Sequence, residues 1–277
     1  MEKRNAEGLT EKEFLEQYDP GEYERPSVTV DMMVLGMDEA LNSLKVLLIQ
    51  RGNHPYIDSF ALPGGFVEMD ESAYEAACRE LEEETGLKNV YLEQVYTMSQ
   101  PDRDPRMRVI DIAYMALIQK VPVVAGDDAK AAYWFDVIFN NRKLELVNKE
   151  HDIDIVYDLK EKVFKNGLVK VKNFVPVLSK SSKDSLAFDH AEILLEGLMR
   201  LRNKVKYTDI AFNLMPKKFT LPDLQRVYEI ILGEPLYKRN FRQSVADRIE
   251  SCNAKGVSIT GKKSSNLYVY SPHLTGE

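Results

Sequence analysis

The stretch from Gly65 to Leu87 constrains this chain more than any other: a glycine, five residues, Glu71, seven residues, then Arg79-Glu80-Leu81-Glu82-Glu83-Glu84-Thr85-Gly86-Leu87. Ser72 followed by Glu75 reads as a capping box, so the sequence predicts a helix from Ser72 to about Thr85. Gly86 supplies its stop, because a left-handed backbone costs glycine little. On that helix Glu80, Glu83 and Glu84 fall at i, i+3 and i+4 and share one face. Carboxylates so crowded repel one another unless a cation joins them, and hard oxygen donors suit Mg²⁺ or Mn²⁺. Tyr74, Cys78 and Leu81 recur at helical spacing on the opposite side and are expected to face the core. An isolated run of glutamates would be a solvated helix face; here Gly65, Glu71 and Arg79 stand in register with it.

Those residues, with aliphatic Leu81 and Leu87, resemble the Nudix box at every defining position, so the chain is similar to Nudix (MutT-type) hydrolases. The resemblance implies an α/β fold, an α/β/α sandwich, in which the Gly65 carbonyl joins Glu80, Glu83 and Glu84 as a metal ligand. It also implies that Glu80 activates water, that Arg79 orients Glu80, and that Glu71 supports Arg79. Asp70 stands where many relatives carry glycine. Some family members keep this scaffold as a sensor without turnover.

The 277 residues are enough for two domains of ordinary size. No apolar core follows the first residues and no run approaches a membrane span, so a cytoplasmic protein is expected. Two distant cysteines, Cys78 and Cys252, read as reduced thiols, and four scattered histidines suggest no zinc site. The net charge of −7 is uneven: residues 186–277 hold 14 Lys+Arg against 10 Asp+Glu. A basic C-terminal third behind an acidic body is a hint of nucleic-acid contact.

Along the chain, Ser27 to Leu35, Leu44 to Gln50, Val90 to Met98 and Met107 to Gln119 read as strands around the acidic helix. Between the last two lies Pro101-Asp102-Arg103-Asp104-Pro105-Arg106. Two readings stand for it: a rigid, solvated loop, or a loop resembling that of ADP-ribose-type Nudix proteins. In the second, Arg103 and Arg106 pair with a substrate diphosphate, which planar guanidinium suits. Residues 137–184 are expected to form a β-hairpin inserted on the first domain, with a further strand at Leu168 to Val171. Its Glu150, Asp152 and Asp154 belong either to the active site or to an exposed turn.

The expected domains are 1–185 and 186–277. From Phe188 the pattern turns helical, with apolar Ile193, Leu194, Leu198 and Leu201, then a second helix capped by Thr220 and ended by Gly233. A third helix begins near Lys238 with Phe241, Val245 and Ile249 buried. A hairpin of Val257 to Ile259 and Leu267 to Tyr270 follows, carrying Lys262 and Lys263 between its strands. Three helices and a basic-tipped hairpin make a winged helix-turn-helix, whose third helix would present Lys238, Arg239 and Arg242 to the DNA major groove. Lys262 and Lys263 would add phosphate contacts. A structural or dimerising helical appendage has the same periodicity.

The order of elements, with Phe188-Asp189-His190-Ala191, Leu224-Gln225-Arg226-Val227-Tyr228 and Lys238-Arg239-Asn240-Phe241-Arg242, resembles the Nudix-related transcriptional regulators of the NrtR type. Two functions follow from the resemblances. The first, favoured on the residues of the intact box, is a Mg²⁺-dependent (or Mn²⁺-dependent) hydrolase of a nucleoside diphosphate derivative such as ADP-ribose. The second is a regulator of NAD or sugar metabolism that senses such a molecule and binds double-stranded DNA as a homodimer.

Overall fold

The computed structural model describes residues 2–118, 129–140, 142–261 and 263–271. A capped helix α1 (Glu11–Gln17) precedes β1 (Ser27–Met37) and β2 (Leu44–Arg51). Two short strands, β3 (Phe60–Ala61) and β4 (Gly64–Phe66), lead into α2 (Ala73–Thr85). There follow β5 (Tyr91–Met98), β6 (Val109–Leu117), β7 (Ala129–Phe139), β8 (Lys143–Asn148), β9 (Ile153–Asn166) and β10 (Val169–Leu178). One sheet takes them all in the order β10-β9-β8-β7-β2-β1-β6-β5, with β3 paired to β2 and β4 to β1. β1 and β6 run parallel.

Every residue of β1 from Val30 to Met37 is buried, the pattern of a strand covered on both faces. Val30, Met32 and Val34 pack with Ala76, Ala77 and Leu81 of α2, whereas Met33 and Leu35 pack with the opposite layer. That layer is α3 (His190–Lys204), which lies across β1, β5 and β10. The sandwich expected from the sequence is therefore present, but its second helix is the one assigned to the C-terminal domain. The apolar stripe of α3 foretells burial and not which surface it meets.

After a short 3-10 turn at Ile210–Leu214 come β11 (Phe219–Thr220), α4 (Leu221–Leu232), α5 (Lys238–Val245), β12 (Ile249–Val257) and β13 (Ser264–Tyr270). The three strands form a second sheet in the order β11-β13-β12. α4 is capped by Thr220 and stopped by left-handed Gly233, as the sequence predicts. Its N-terminus holds buried Asp223, whose carboxylate accepts bonds from the hydroxyls of Thr220, Ser258 and Thr260 and from the amides of Ile259 and Thr260. That one side chain ties α4 to the turn after β12.

Three further details differ from expectation. Residues 137–184 do contain an antiparallel hairpin, β8 with β9, but it is not set on the domain as an insertion: β8, β9 and β10 continue the main sheet outward from β7. The first wing strand is 249–257 and not 257–259, so Ile249 opens a strand and is half-buried. On α2, Tyr74 and Cys78 are exposed, and the buried face is Ala76, Ala77 and Leu81. Alanines let the helix come close to the sheet, and the larger Tyr74 is left at the rim, edge-on to Tyr114 at 6.4 Å.

Candidate functional site

Gly64 and Gly65 bring the backbone of β4 against two neighbours at once. A Cβ at Gly64 would lie 2.1 Å from the Val30 carbonyl of β1, and one at Gly65 would lie 2.1 Å from Oε1 of Glu80. At Gly64 the close approach is to backbone and at Gly65 to the end of a side chain, and neither glycine has an unusual φ. The sequence thereby seats Glu80 directly behind the strand that floors the cleft.

α2 begins at Ser72, whose hydroxyl accepts the Glu75 amide while Glu75 returns a bond to the Ser72 amide, and ends at left-handed Gly86. On it Arg79 is held by three acids. Its guanidinium meets Glu71 through two bonds (3.2 and 2.8 Å), Glu80 at 2.8 Å and Glu83 at 3.5 Å. Bonds from Arg79 keep the Glu71 carboxyl below its usual range. Burial pushes the half-buried Glu80 carboxyl up, with Arg79 opposing. Glu83 is exposed, Glu84 is half-buried, and among the described residues no three His, Cys, Asp or Glu side chains are gathered as a ready metal cage. Arg79 stands among the acids instead. The oxygen donors that the sequence offers there, carboxylates and the backbone carbonyl of Gly65, have the hard character a divalent cation wants.

In front of Gly64 and Gly65 opens a cleft of about 250 Å³ lined by Asp31, Arg51, Phe66, Arg103, Arg106, Phe188 and His190 among others. Phe188 stands near two arginines, with the Arg51 and Arg106 guanidinium carbons 5.0 and 5.9 Å from its ring centroid. Arg106 is partly exposed and pairs with Asp104 at 2.7 Å. Arg103, grouped with it by sequence, is different: only 4% of its side chain is exposed, and it is bound by Asp189 through two bonds of 2.9 and 2.7 Å. A further nitrogen contact reaches Asp31 at 3.4 Å. Arg103 thus builds the wall of the cleft, and Arg106 is the member of the pair that faces the opening.

Around Arg103 lies a polar cluster that the sequence reading did not find. His190 accepts the Leu62 amide at Nδ1 (2.9 Å) and directs Nε2 at Asp31, 3.4 Å away. Complete burial lowers the pKa of His190 and keeps the ring neutral. Asp111, fully buried, accepts the Thr29 hydroxyl at 3.0 Å, and burial together with the nearby Asp31 raises its pKa well above the carboxylate range. The available signal was an aspartate inside each of two apolar strands, Asp31 in β1 and Asp111 in β6. Glu150 and Asp152, by contrast, lie in an exposed turn, where Asp152 meets Lys183 at 2.9 Å.

In the C-terminal domain, Phe241 and Val245 anchor α5, with Phe241 edge-on to Tyr228 at 5.2 Å. Lys238, Arg239 and Arg242 are left exposed on its outer side, and Lys263 is exposed in the wing turn. Lys262, like Gln119 at the expected end of β6, lies outside the described residues. The arrangement offers a short helix and a hairpin tip, both basic, to an anionic surface.

Comparison with known proteins agrees with both halves. Residues 25–152 match the NUDIX domain, and residues 211–270 match the NrtR DNA-binding winged helix domain. The second match begins beyond α3, in keeping with the packing of that helix on the first sheet. The chain is 33% identical to the ADPR responsive transcriptional repressor NtrR of Acinetobacter baylyi over 94% of its length and 88% of that protein. A MutT/nudix family protein from Enterococcus faecalis superposes with a TM-score of 0.76 at 33% identity, covering 95% of this chain and 94% of that one. Shewanella oneidensis NrtR complexed with a 27mer DNA superposes at 0.60 with 27% identity, covering 88% and 94%. A NUDIX domain followed by an NrtR winged helix, in a chain one-third identical to such a repressor over nearly its whole length, places this chain among the Nudix proteins that carry an NrtR-type winged helix domain.

Proposed function

We propose that this protein is a transcriptional regulator whose Nudix cleft takes ADP-ribose or a closely related nucleoside diphosphate sugar and thereby alters the affinity of its winged helix for double-stranded DNA. The observation that carries this reading is full-length kinship with an ADPR-responsive repressor, joined to a C-terminal domain whose Lys238, Arg239, Arg242 and Lys263 are all exposed. It reverses the order in which the box alone ranks the two functions. In the cleft, Arg106 and Arg51 lie near Phe188, an arrangement suited to an anion joined to a flat ring. Two copies per two-fold operator are expected.

α3 supplies the connection between the two sites. Its first residue, His190, and the preceding Asp189 belong to the cleft wall. Near its end, Arg202 donates to the Ile231 carbonyl of α4 and to the Phe139 carbonyl of β7. A ligand that shifts the Arg103–Asp189 pair therefore acts on a helix bonded to the DNA-binding domain. The test is binding of a labelled duplex from the gene's own upstream region, with and without ADP-ribose. An unchanged affinity at saturating ADP-ribose refutes the effector reading.

Pyrophosphate cleavage in the same cleft is a second reading, favoured by the Gly65–Glu80–Arg79–Glu71 arrangement. A Mg²⁺ or Mn²⁺ ion would be held by the Gly65 carbonyl, Glu80, Glu83 and Glu84, and would supply charge neutralisation at the diphosphate. Arg79 positions Glu80 through a bond of 2.8 Å, and the Glu80 carboxylate would accept the proton of the attacking water. Release of AMP from ADP-ribose, abolished in Glu80→Gln with folding intact, would establish turnover. No release at any Mg²⁺ concentration removes it.

A further inference from the structure

β9 is longer than the strand it pairs with. β8 begins at Lys143, opposite Asp158, and Leu159 still donates to the Arg142 carbonyl. Beyond that point Lys160 to Asn166 pair with β10 alone, through Val175 to Val169. Seven residues at about 3.3 Å each make a two-stranded ribbon that reaches about 23 Å past the edge of the sheet. The end of the sheet from which it projects is the end where β1 stops, β2 and β8 start and β7 stops. The winged domain is bonded to that same end through Arg226, which donates to the carbonyls of Leu41 and Asn42, and Arg202 of α3 donates there to both the Phe139 carbonyl of β7 and the Ile231 carbonyl of α4.

The ribbon is basic. Between Lys160 and Lys172 it holds five lysines and one glutamate, the same balance of +4 that the whole C-terminal third carries. Lys172 is paired with Glu161 at 2.9 Å. Among the described residues Lys160, Lys162, Lys165 and Lys170 have no acidic side chain within ion-pair distance, and all four are exposed. Lys165 and Lys170 sit directly opposite each other next to the turn, and like charges in that position destabilise a strand pair. They share the face of Leu159 and Phe174, which belongs to the apolar cluster on the α3 side of the sheet. A repulsive pair kept at the tip of an exposed arm is accounted for by an anionic partner.

We infer that the β9–β10 ribbon is a second DNA-contacting element, an arm whose Lys165 and Lys170 meet backbone phosphates of the duplex held by the winged helix. The proposal rests on the DNA-binding reading above. Such contacts carry no base information, so the arm strengthens binding to all sequences and sets how much duplex flanks the recognised site.

The test compares the full-length protein with Lys165→Gln/Lys170→Gln on a labelled duplex from the gene's own upstream region and on one of unrelated sequence, across a salt series. Loss of two phosphate contacts lowers the slope of log affinity against log salt by about 1.8. Affinity falls for both duplexes by the same factor, and trimming the flanks of the duplex abolishes the difference between the proteins. Removal of a like-charge pair leaves melting unchanged or raised, so a lost fold does not imitate the result. Equal slopes overturn the arm while the winged-helix reading stands. A variant that sediments as a smaller species than the parent also overturns it, assigning the ribbon to contact between copies. If the unaltered protein binds neither duplex, both readings fall together.

Discussion

Replacing Arg103 by leucine tests the wall of the cleft. The guanidinium is 4% exposed, and two of its nitrogens are committed to Asp189 at 2.9 and 2.7 Å, with Asp31 at 3.4 Å. Asp31 and Asp189 are themselves only 13% exposed at the side chain, and Asp111 lies fully buried beside them. Leucine fills part of the volume and leaves that group of carboxylates without its cation. Breaking a buried pair by removing one partner costs about 3–5 kcal/mol. Because Asp189 precedes the first turn of α3 and retains some access to water, the lower part of that range, about 3 kcal/mol, is expected. Urea unfolding followed by the single tryptophan, Trp134 on β7, measures it. Arg103→Lys should recover only part of the loss, since an ammonium cannot make the paired bonds of the fork. Leucine at both 103 and 189 should be more stable than Arg103→Leu alone, giving a coupling of at least ~1 kcal/mol in the cycle. A single variant within about 1 kcal/mol of the parent would refute the view that this arginine holds the wall together.

Three other perturbations separate the remaining parts. Gly64→Ala drives a Cβ into the Val30 carbonyl and should lower stability by ~2 kcal/mol or more, whereas Gly65→Ala meets only the movable end of Glu80 and should stay within about 1 kcal/mol. Any AMP release should nevertheless drop at least about 100-fold in Gly65→Ala, because Glu80 is turned out of place; equal thermal shifts for the two variants would contradict the packing. Asp111 has a folded pKa raised by burial, so its contribution is fully present below about 3.9, the unfolded value, and is lost as pH rises towards the folded one. Asp111→Asn keeps the acceptor for Thr29 and should gain stability relative to the parent between pH 4 and 7 while matching it near pH 3, and a difference independent of pH would refute the assignment. Asp223→Ala strips five bonds from the turn that holds the wing and should cost about 3 kcal/mol, with DNA affinity falling before the Nudix domain unfolds; full DNA affinity in this variant would show that the wing is held by other means.

What could be read from sequence was local. α2 is legible to the residue because its start and stop are written in neighbouring positions, Ser72 with Glu75 and then Gly86. α4 is legible for the same reason, through Thr220 and Gly233. The wing strand Ile249–Val257 was not, since Glu-Ser-Cys-Asn-Ala-Lys has no alternation and is made a strand by pairing with β13. The partners of Arg103 lie 72 and 86 positions away, so its loop could suggest an anion but not which one. Asp189 and Asp31 hold the guanidinium that, in one of the two readings of that loop, pairs with a diphosphate. The continuation of the sheet through β8, β9 and β10 was hidden likewise, because strands at 137–184 are visible in the pattern and their neighbours are not.

The allegiance of α3 matters most for function. Had it belonged to the winged domain, a linker and the Arg226 bonds to the turn after β1 would join the two parts, and a molecule bound in the cleft would have little mechanical purchase on α5. Placed on the sheet, fifteen residues of helix run about 22 Å from the cleft wall to α4. A packed helix moves as a body, so a small displacement at Asp189 and His190 reaches the Arg202 bonds undiminished. A ligand shifts the balance only by contacting the two states unequally. The Arg103–Asp189 pair supplies such an inequality on the proposed reading: a diphosphate that draws Arg103 towards the opening weakens its hold on Asp189, and one that leaves Arg103 in the wall does not. Effector response should therefore be lost in Arg103→Lys even where ADP-ribose is still bound, a separation of binding from response that a site confined to the cleft could not produce.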